Sequence, residues 1–443
     1  MDSTASHSTQ KRLGPILLSP GYGVKEVISF LFVTCICVSL NEFANVMLPL
    51  VLTQQLHIDP HKQGLVVGSL GAVQQVGTLL CIMVFGALAD IYGRRPMLLL
   101  TLAGFTLCMF AYPFISVVLA LFVLRFVWGV SFTGYNAGAP TIAMDIPDNR
   151  SRGKFNSIVL LTPWLAASGF VLVTSRLPSQ LRALGYTPHL SLILAFSLVA
   201  LFPLIGIVTT TAFFKEPKRS PAAPGRLWTR MGEIFGNLKT VLSYAGQNRK
   251  FGVMLFIGSV VRTDTVITGS FLALWIVNAG RGGGVDAIMA TKTAGLVASI
   301  RFVTKVIGAP VFGVITDKIN RTLFMLVSLA LMTFAFGYFG LITNVFGVGM
   351  MVGAALIGFA ESAEAIASQS LIAQEAPAQL RGSSVGVFTF LGTATLIIIN
   401  LAGGYLFYKA GFNSPLLMEG AFHFVVLLIS VVLLRKSAAG GGP

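Results

Sequence analysis

The sequence predicts an all-α integral membrane protein with twelve transmembrane helices arranged as two repeated six-helix halves. Three observations carry that prediction. The 443 residues are 55% apolar and only 11% charged, with a mean hydropathy of +0.81. Apolar runs of about 20 residues, the length a helix needs to cross the hydrocarbon core, follow one another along almost the whole chain. A charged turn after the second run, Gly86-Ala-Leu-Ala-Asp90-Ile-Tyr-Gly93-Arg94, returns after the eighth as Gly313-Val-Ile-Thr-Asp317-Lys-Ile-Asn320-Arg321.

In order, the spans are expected near residues 27–50, 63–86, 97–115, 116–140, 155–175, 190–213, 251–278, 291–313, 322–342, 345–368, 383–407 and 414–434. A polar tail, 1–26, precedes them with no sign of a cleavable leader. The stretch 215–250 separates a first bundle, 27–214, from a second, 251–434, and 435–443 form a second tail. Pro217, Pro221, Pro224 and Gly225 open that linker. After them Leu227, Trp228, Met231, Ile234, Phe235, Leu238, Val241 and Leu242 recur at helical spacing opposite Arg226, Arg230 and Lys239. That pattern predicts an amphipathic helix lying on a membrane surface.

The net charge of +15 would suit nucleic acid, but its distribution does not. Of the 31 Lys and Arg residues, 21 fall in tails and loops on the side of the termini and six on the other. By the positive-inside rule both termini are cytoplasmic. The partners expected are therefore a lipid bilayer, a small-molecule substrate and protons, with no nucleic acid and a monomeric chain. Cys35, Cys37, Cys81 and Cys108 all lie in apolar runs and read as small packing residues. The five histidines show no metal spacing, and no nucleophile or phosphate-binding constellation appears. No enzyme, metal or cofactor is expected.

The turn holding Gly86, Asp90, Gly93, Arg94 and Arg95 resembles the signature loop between spans 2 and 3 of the major facilitator superfamily. Asp317 and Arg321 supply its second copy, with Asn320 where a second glycine would stand. Asp145 through Arg152-Gly153 likewise answers Glu375 through Arg381-Gly382. The resemblance implies two pseudo-symmetric bundles, a central cavity opening alternately to each side, and a gate built on the charged turns. Arg125-Phe-Val-Trp-Gly129 is similar to an Arg-x-x-x-Gly pattern of span 4; Gly358 keeps the place of Gly129, but Ala354 stands where Arg125 would repeat. Glu42, seven residues before Pro49, resembles span 1 of drug:proton transporters in the superfamily. The segment after span 6, Phe214 to Arg219, is similar to the acidic-proline motif that ends that span. Span 5 departs from the antiporters, since it carries only Pro163 and Gly169 where they have a Gly-Pro-rich motif.

Ions inside a membrane mark function by default. Glu42 is expected near the bilayer middle, where keeping a carboxylate ionised is costly and carrying a proton suits it; the alternative is a glutamate held by Arg125 or by amides. Arg125 is expected either to couple substrate movement or to tie spans together. Span 7 adds Arg262 and Asp264, span 8 Arg301 and Lys305 on one face, and span 10 Glu361 and Glu364 on one face. Matching the repeats through Asp90 and Asp317 puts Gln74 opposite Arg301 and Thr78 opposite Lys305. Two readings stand: these six charges pair as a buried network, or the cations receive an anionic substrate while an acid takes up a proton. Trp128, Tyr135, Trp164 and Trp275 are candidate walls. The function implied is proton-coupled secondary transport, as a symporter, of a small organic solute with an anion favoured. A multidrug/proton exporter, a non-transporting receptor and a lipid flippase on the same scaffold are the alternatives.

Overall fold

A computed structural model describes residues 11–216, 227–375 and 380–439. Among them twelve helices are long and apolar enough to cross a membrane. Spans 1–6 are Val24–Gln54, Pro60–Tyr92, Arg95–Ala111, Val118–Asp145, Arg152–Thr174 and Pro188–Phe213. Spans 7–12 are Arg249–Gly282, Ala287–Lys318, Arg321–Tyr338, Val348–Glu375, Arg381–Ala410 and Ser414–Ala439. The helices overrun the apolar runs by several residues because polar caps outside the hydrocarbon start them. Asp59 accepts from the His61 amide ahead of span 2, Asn248 from Phe251 ahead of span 7, and Asn320 from Thr322 ahead of span 9. Pro60 and Pro188 occupy first turns, where a missing N–H costs nothing.

An even number of crossings puts both chain ends at one end of the bundle, called here the terminus end. At the opposite, far end the two halves meet closely. Span 2 carries Gly64 and Gly68, which face Phe407 and Gly404 of span 11; a Cβ on Gly404 would lie 2.6 Å from the Gly64 carbonyl oxygen. This is the small-residue contact that lets helix backbones touch in a membrane. Ser299 of span 8 donates to the Ser168 carbonyl of span 5 at 2.8 Å, and Asn278 of span 7 to Gln63 of span 2 at 3.0 Å. Arg182, on the short helix Leu177–Ala183, pairs with Asp286 across the halves.

Three local features depart from the sequence reading. Span 7 is not one helix: Arg249–Val260 ends in a turn at 261–262, Thr263–Val266 follows, and a π-helical turn Ile267–Phe271 precedes Leu272–Gly282. The N-terminal tail is not formless either, since β1 (Arg12–Leu13) and β2 (Ile16–Leu17) make a small hairpin. That hairpin is strapped to the turn between spans 4 and 5 by the Ser19 amide on the Ile146 carbonyl and the Leu17 amide on Ser151. The linker helix, Leu227–Gln247, packs its C-terminal part beneath the bundle, with Val241 fully buried beside Phe251 and Leu242 exposed. The expected apolar positions from Leu227 to Phe235 have side chains outside the described residues, as do Arg226 and Arg230.

The repeat is visible at atomic scale. A Cβ on Gly129 would sit 2.9 Å from the carbonyl carbon of Gln74, and one on Gly358 2.8 Å from that of Arg301. The two glycines therefore hold the same helix crossing in each half, and they confirm the pairing of Gln74 with Arg301. The halves diverge in where the cation sits: on span 4 as Arg125 in the first, on span 8 as Arg301 in the second.

Candidate functional site

Between the halves lies a cavity of about 830 Å³, lined by spans of both bundles. It runs from Leu48, Val67 and Asn400, past Glu42 and Asn45 in the middle of the bundle, toward Pro140, Gln369 and Phe388, which belong to the terminus-end parts of their spans. The volume falls in the range of small-molecule sites. Among the described lining residues four cations, Arg125, Arg262, Arg301 and Lys305, face three acids, Glu42, Asp264 and Glu361.

Arg301 is the centre of the charge arrangement. Its side chain is 1% exposed and reaches in two directions. One terminal nitrogen lies 3.1 Å from Glu42 Oε2 in the first half, and the other 2.9 Å from Glu361 Oε1 in the second. That second nitrogen also donates to Thr268. Glu361 takes Lys305 as well, at 3.0 Å on its other oxygen. Lys305 in turn stands 4.6 Å above the Trp164 ring of span 5, a cation–π contact between the halves. The π-helical turn explains how Glu42 reaches this place. Gly269 within it has only hydrogen where a Cβ would lie 3.1 Å from Asn45 Nδ2 and 3.6 Å from Glu42 Oε2. Span 7 thereby comes down onto span 1.

Arg125 has a different environment. It donates to Gln74 Oε1 at 3.0 Å, to Asn45 Oδ1 at 3.3 Å and to the Ala44 carbonyl at 3.3 Å. The guanidinium also lies over the Tyr112 ring. Glu42, for which Arg125 or amides are the expected holders, is held by Arg301. Gln74 lines the cavity while already occupied by Arg125. Arg262 lines the cavity along span 11, its side chain against Gly392, and Asp264 accepts from the amide and hydroxyl of Thr265.

Several expectations need correction. Glu364 does not join the span 8 cations: it turns away from the cavity, 3.3 Å from His423 Nε2 of span 12. Residues three positions apart are separated by about 60° around the helix axis, which here is enough for one span to turn Glu361 to the cavity and Glu364 to span 12. Tyr135 is not among the cavity residues and stacks on Phe132 at 5.5 Å between centroids. Trp128 is core, stacked on Phe105 at 4.2 Å with its indole N–H on Asn41, and Trp275 packs against Phe339; only Trp164 of the four lines the cavity.

The gating turn also differs from expectation. Arg94 pairs with Asp145 of span 4, within its own half, and the Asp90 side chain lies outside the described residues. Glu216, from the motif after span 6, accepts the Arg94 and Arg95 amides at 2.8 and 3.2 Å and so caps span 3; Arg95 donates to the Thr211 carbonyl. Gly93 has φ 90° and ψ 172°, a conformation open only to glycine. Asn320 has φ −57° and serves as a cap instead, so the second turn needs no glycine. Gly86 has nothing within 4 Å of a Cβ position, so it makes no close approach here, and the same holds for Gly313. Asp317 is exposed, and Arg321 reaches the Ser370 carbonyl at 3.5 Å.

Sequence reasoning passed over Thr268, Glu419 and His423. Glu419 and His423 carried a signal, being polar groups four residues apart in an otherwise apolar span.

Twelve spans in two repeated halves around a charged central cavity define a membrane transporter of the two-bundle kind. The Major Facilitator Superfamily model matches residues 30–291 and, separately, 254–442, and the chain belongs to that family. It is similar to the magnetosome protein MamZ of Magnetospirillum gryphiswaldense, 21% identical over 397 residues, 88% of this chain and 59% of MamZ. It is also similar to the magnetosome protein MamH of Paramagnetospirillum magneticum, 26% identical over 181 residues, 41% of this chain and 42% of MamH. A third relative is the multi-drug resistance efflux pump PmrA of Streptococcus pneumoniae, 23% identical over 168 residues, 38% of this chain and 40% of the pump. The matches thus span from two fifths to three fifths of those proteins. Among solved structures, the nucleoside transporter NupG aligns with a TM-score of 0.70 at 12% identity, covering 92% of this chain and 99% of that one. The peptide transporter POT in complex with sulfate aligns at 0.69 and 15% identity, covering 93% and 94%. At these identities the likeness concerns the fold.

Proposed function

We propose that this chain is a proton-coupled secondary transporter that moves a small organic anion across a membrane by alternating access, as a monomer with both termini cytoplasmic. The observation that carries the reading is Arg301, shared between Glu42 of one half and Glu361 of the other at the wall of the cavity. A buried cation held by an acid from each half is a joint that a proton can open. Protonating Glu42 removes its charge and frees one arm of the guanidinium, which presents a fork suited to a carboxylate or phosphate. The cavity then holds four cations against two ionised acids, and an anion restores the balance. When the anion leaves, Glu42 gives up its proton and recovers Arg301. Proton and anion therefore bind together and leave together, as symport requires.

The state described is closed at the far end and runs toward the terminus end, so it corresponds to the inward-facing member of the cycle. Gly86 and Gly313, with open space around them, are the residues that would close together in the opposite state, and Asp90 belongs to that gate. The resemblance to the efflux pump favours export as a second reading; four cations in the cavity disfavour the cationic cargo of a drug exporter.

The test is uptake into proteoliposomes of a panel of small carboxylates and phosphates, with and without a pH gradient. Glu42→Gln imitates the protonated acid. It should retain exchange of the transported anion and lose accumulation driven by the gradient. Undiminished accumulation in that variant removes Glu42 as the coupling site.

A further inference from the structure

Behind the cavity wall, in the second half, sits a cluster that the scheme above does not use. Glu364 of span 10, Glu419 and His423 of span 12 and Thr263 of span 7 are each at most 1% exposed, and none of them lines the cavity. His423 Nδ1 faces the Glu419 backbone carbonyl at 2.9 Å and the Glu419 carboxyl at 3.5 Å, both acceptors, so that nitrogen carries a hydrogen. Its Nε2 points at Glu364 Oε1 across 3.3 Å. Thr263 hydrogen-bonds Glu419 and also meets the Val260 carbonyl at 2.7 Å. Both Glu364 oxygens, the second Glu419 oxygen and His423 Nε2 receive or make no hydrogen bond.

Charge and hydrogen counting constrain such a cluster. Two ionised carboxylates beside one imidazolium would leave a net negative charge in a dry interior, and beside a neutral imidazole they would leave two. Isolated buried charge of that kind is expensive, whereas one added proton cancels it. The neutral arrangement has Glu364 ionised, His423 an imidazolium between its two neighbours, and Glu419 a carboxylic acid. A hydroxyl on Glu419 also solves the Thr263 problem, because Thr263 has one hydrogen and two acceptors near it. It can give that hydrogen to Val260 and accept from Glu419.

The charged groups around the cluster are few. Asp264, on the cavity wall, is the next residue to Thr263, which hydrogen-bonds Glu419. Span 9 contributes the Phe336 ring, 5.8 Å from the imidazole centroid, and no charge. Arg262 lies on the same broken stretch of span 7 and faces span 11. Asp264 is therefore the titratable group that joins cluster and cavity, and it sits where span 7 interrupts its helix and frees backbone groups to move.

We infer that Glu364, His423 and Glu419 form a second proton-binding site, sealed from the cavity and loaded and emptied through Asp264. A proton reaching Asp264 passes by way of the neighbouring Thr263 hydroxyl to Glu419 and makes the cluster neutral; it leaves by the same route, and no other bond changes. The site would set how many protons move in each cycle, and in that purpose it rests on the proton-coupled reading. Proton binding itself does not, and the test uses no transport.

The full chain in lipid nanodiscs, with nitrogen-labelled histidine, is examined by imidazole NMR and by infrared difference spectroscopy in H2O and D2O. His423 is assigned by the signal lost in His423→Gln. The parent should show His423 protonated on both nitrogens at neutral pH and a protonated-carboxyl band that disappears in Glu419→Gln. Glu364→Gln should return His423 to a neutral ring. In Asp264→Asn the carboxyl band should persist but exchange its proton for deuterium more slowly, while Glu42→Gln leaves that rate unchanged. A neutral His423 with both glutamates ionised in the parent overturns the inference, and that measurement needs no variant to fold. Equal exchange in Asp264→Asn and the parent removes the route through Asp264. Failure of gradient-driven transport with these spectra intact would count against the Glu42 scheme alone.

Discussion

Arg301 and Arg125 are both buried arginines beside one cavity, yet their partners assign them different work. Arg125 is held by two side-chain amides, a carbonyl and the face of the Tyr112 ring, with no carboxylate among these partners, so its place is set chiefly by spans 1 and 2. Arg301 is held by two carboxylates, one from each half. Removing one member of a buried pair typically costs about 3–5 kcal/mol because the other is left uncompensated. Glu361→Gln should therefore destabilise more than Glu42→Gln, since Glu361 answers two cations and Glu42 one. Thermal melting of the two variants in detergent decides that order. Arg301→Lys keeps the charge and loses the fork; it should weaken anion binding by about 1–3 kcal/mol, read as a shift in the concentration giving half-maximal transport. An unchanged affinity in Arg301→Lys would mean that the anion is held elsewhere.

At the scale of elements, small residues and caps decide which surfaces can meet. Span 3 begins with no side-chain cap of its own, and Glu216 supplies one from beyond span 6. Glu216→Gln should loosen the turn by about 1 kcal/mol or more, since an ionised cap at a helix start is replaced by a neutral one. Gly93→Ala should cost more, about 1–3 kcal/mol, because it forces a side chain into a glycine-only backbone conformation and against the Glu216 carboxylate. Comparing both by hydrogen exchange at the amides of Gly93, Arg94, Arg95, Met97 and Leu98 separates local loosening from global unfolding. At the far end Gly404→Leu puts a branched side chain into the span 2 backbone. It should block closure there, hold the protein away from the state described, and abolish transport without preventing insertion.

For the whole molecule, the same two halves must meet at one end or the other, and the cavity's lining says which end is open. Gln369, in the terminus-end part of span 10, lines the cavity, whereas Gly68 is packed against span 11. In a variant with the four native cysteines replaced, Gln369→Cys should react with a hydrophilic maleimide added from the terminus side, and Gly404→Leu should reduce that rate. Reactivity from the far side only would reverse the assignment. The broken span 7 belongs to this scale as well. Its turn at 261–262 and the π-helical stretch after it place Asp264 on the cavity wall and Gly269 against Asn45 and Glu42. Nothing in Val261-Arg-Thr-Asp264 contains proline or paired glycine, so a periodicity argument has no reason to break the helix there.

Hydropathy and the repeated turn by themselves determined the twelve spans and the two halves. Those follow from the bilayer, which acts on every residue of a span alike and writes its demand into composition. The sequence also marked Glu42, Arg125, Asp264, Arg301, Lys305 and Glu361 as costly ions, because an embedded charge stands out against an apolar run. Which ion meets which was decided only in three dimensions. Glu42 and Arg301 are 259 positions apart, and their contact depends on the glycine in a π-helical turn of a third helix. Glu364 shares a helix with Glu361 and yet serves a different interface, and His423 gained a partner that no spacing announced. Periodicity reports the face of one helix; the partner across that face is set by how two bundles pack, and pairing in a low-dielectric interior turns on fractions of an ångström that a linear pattern does not encode.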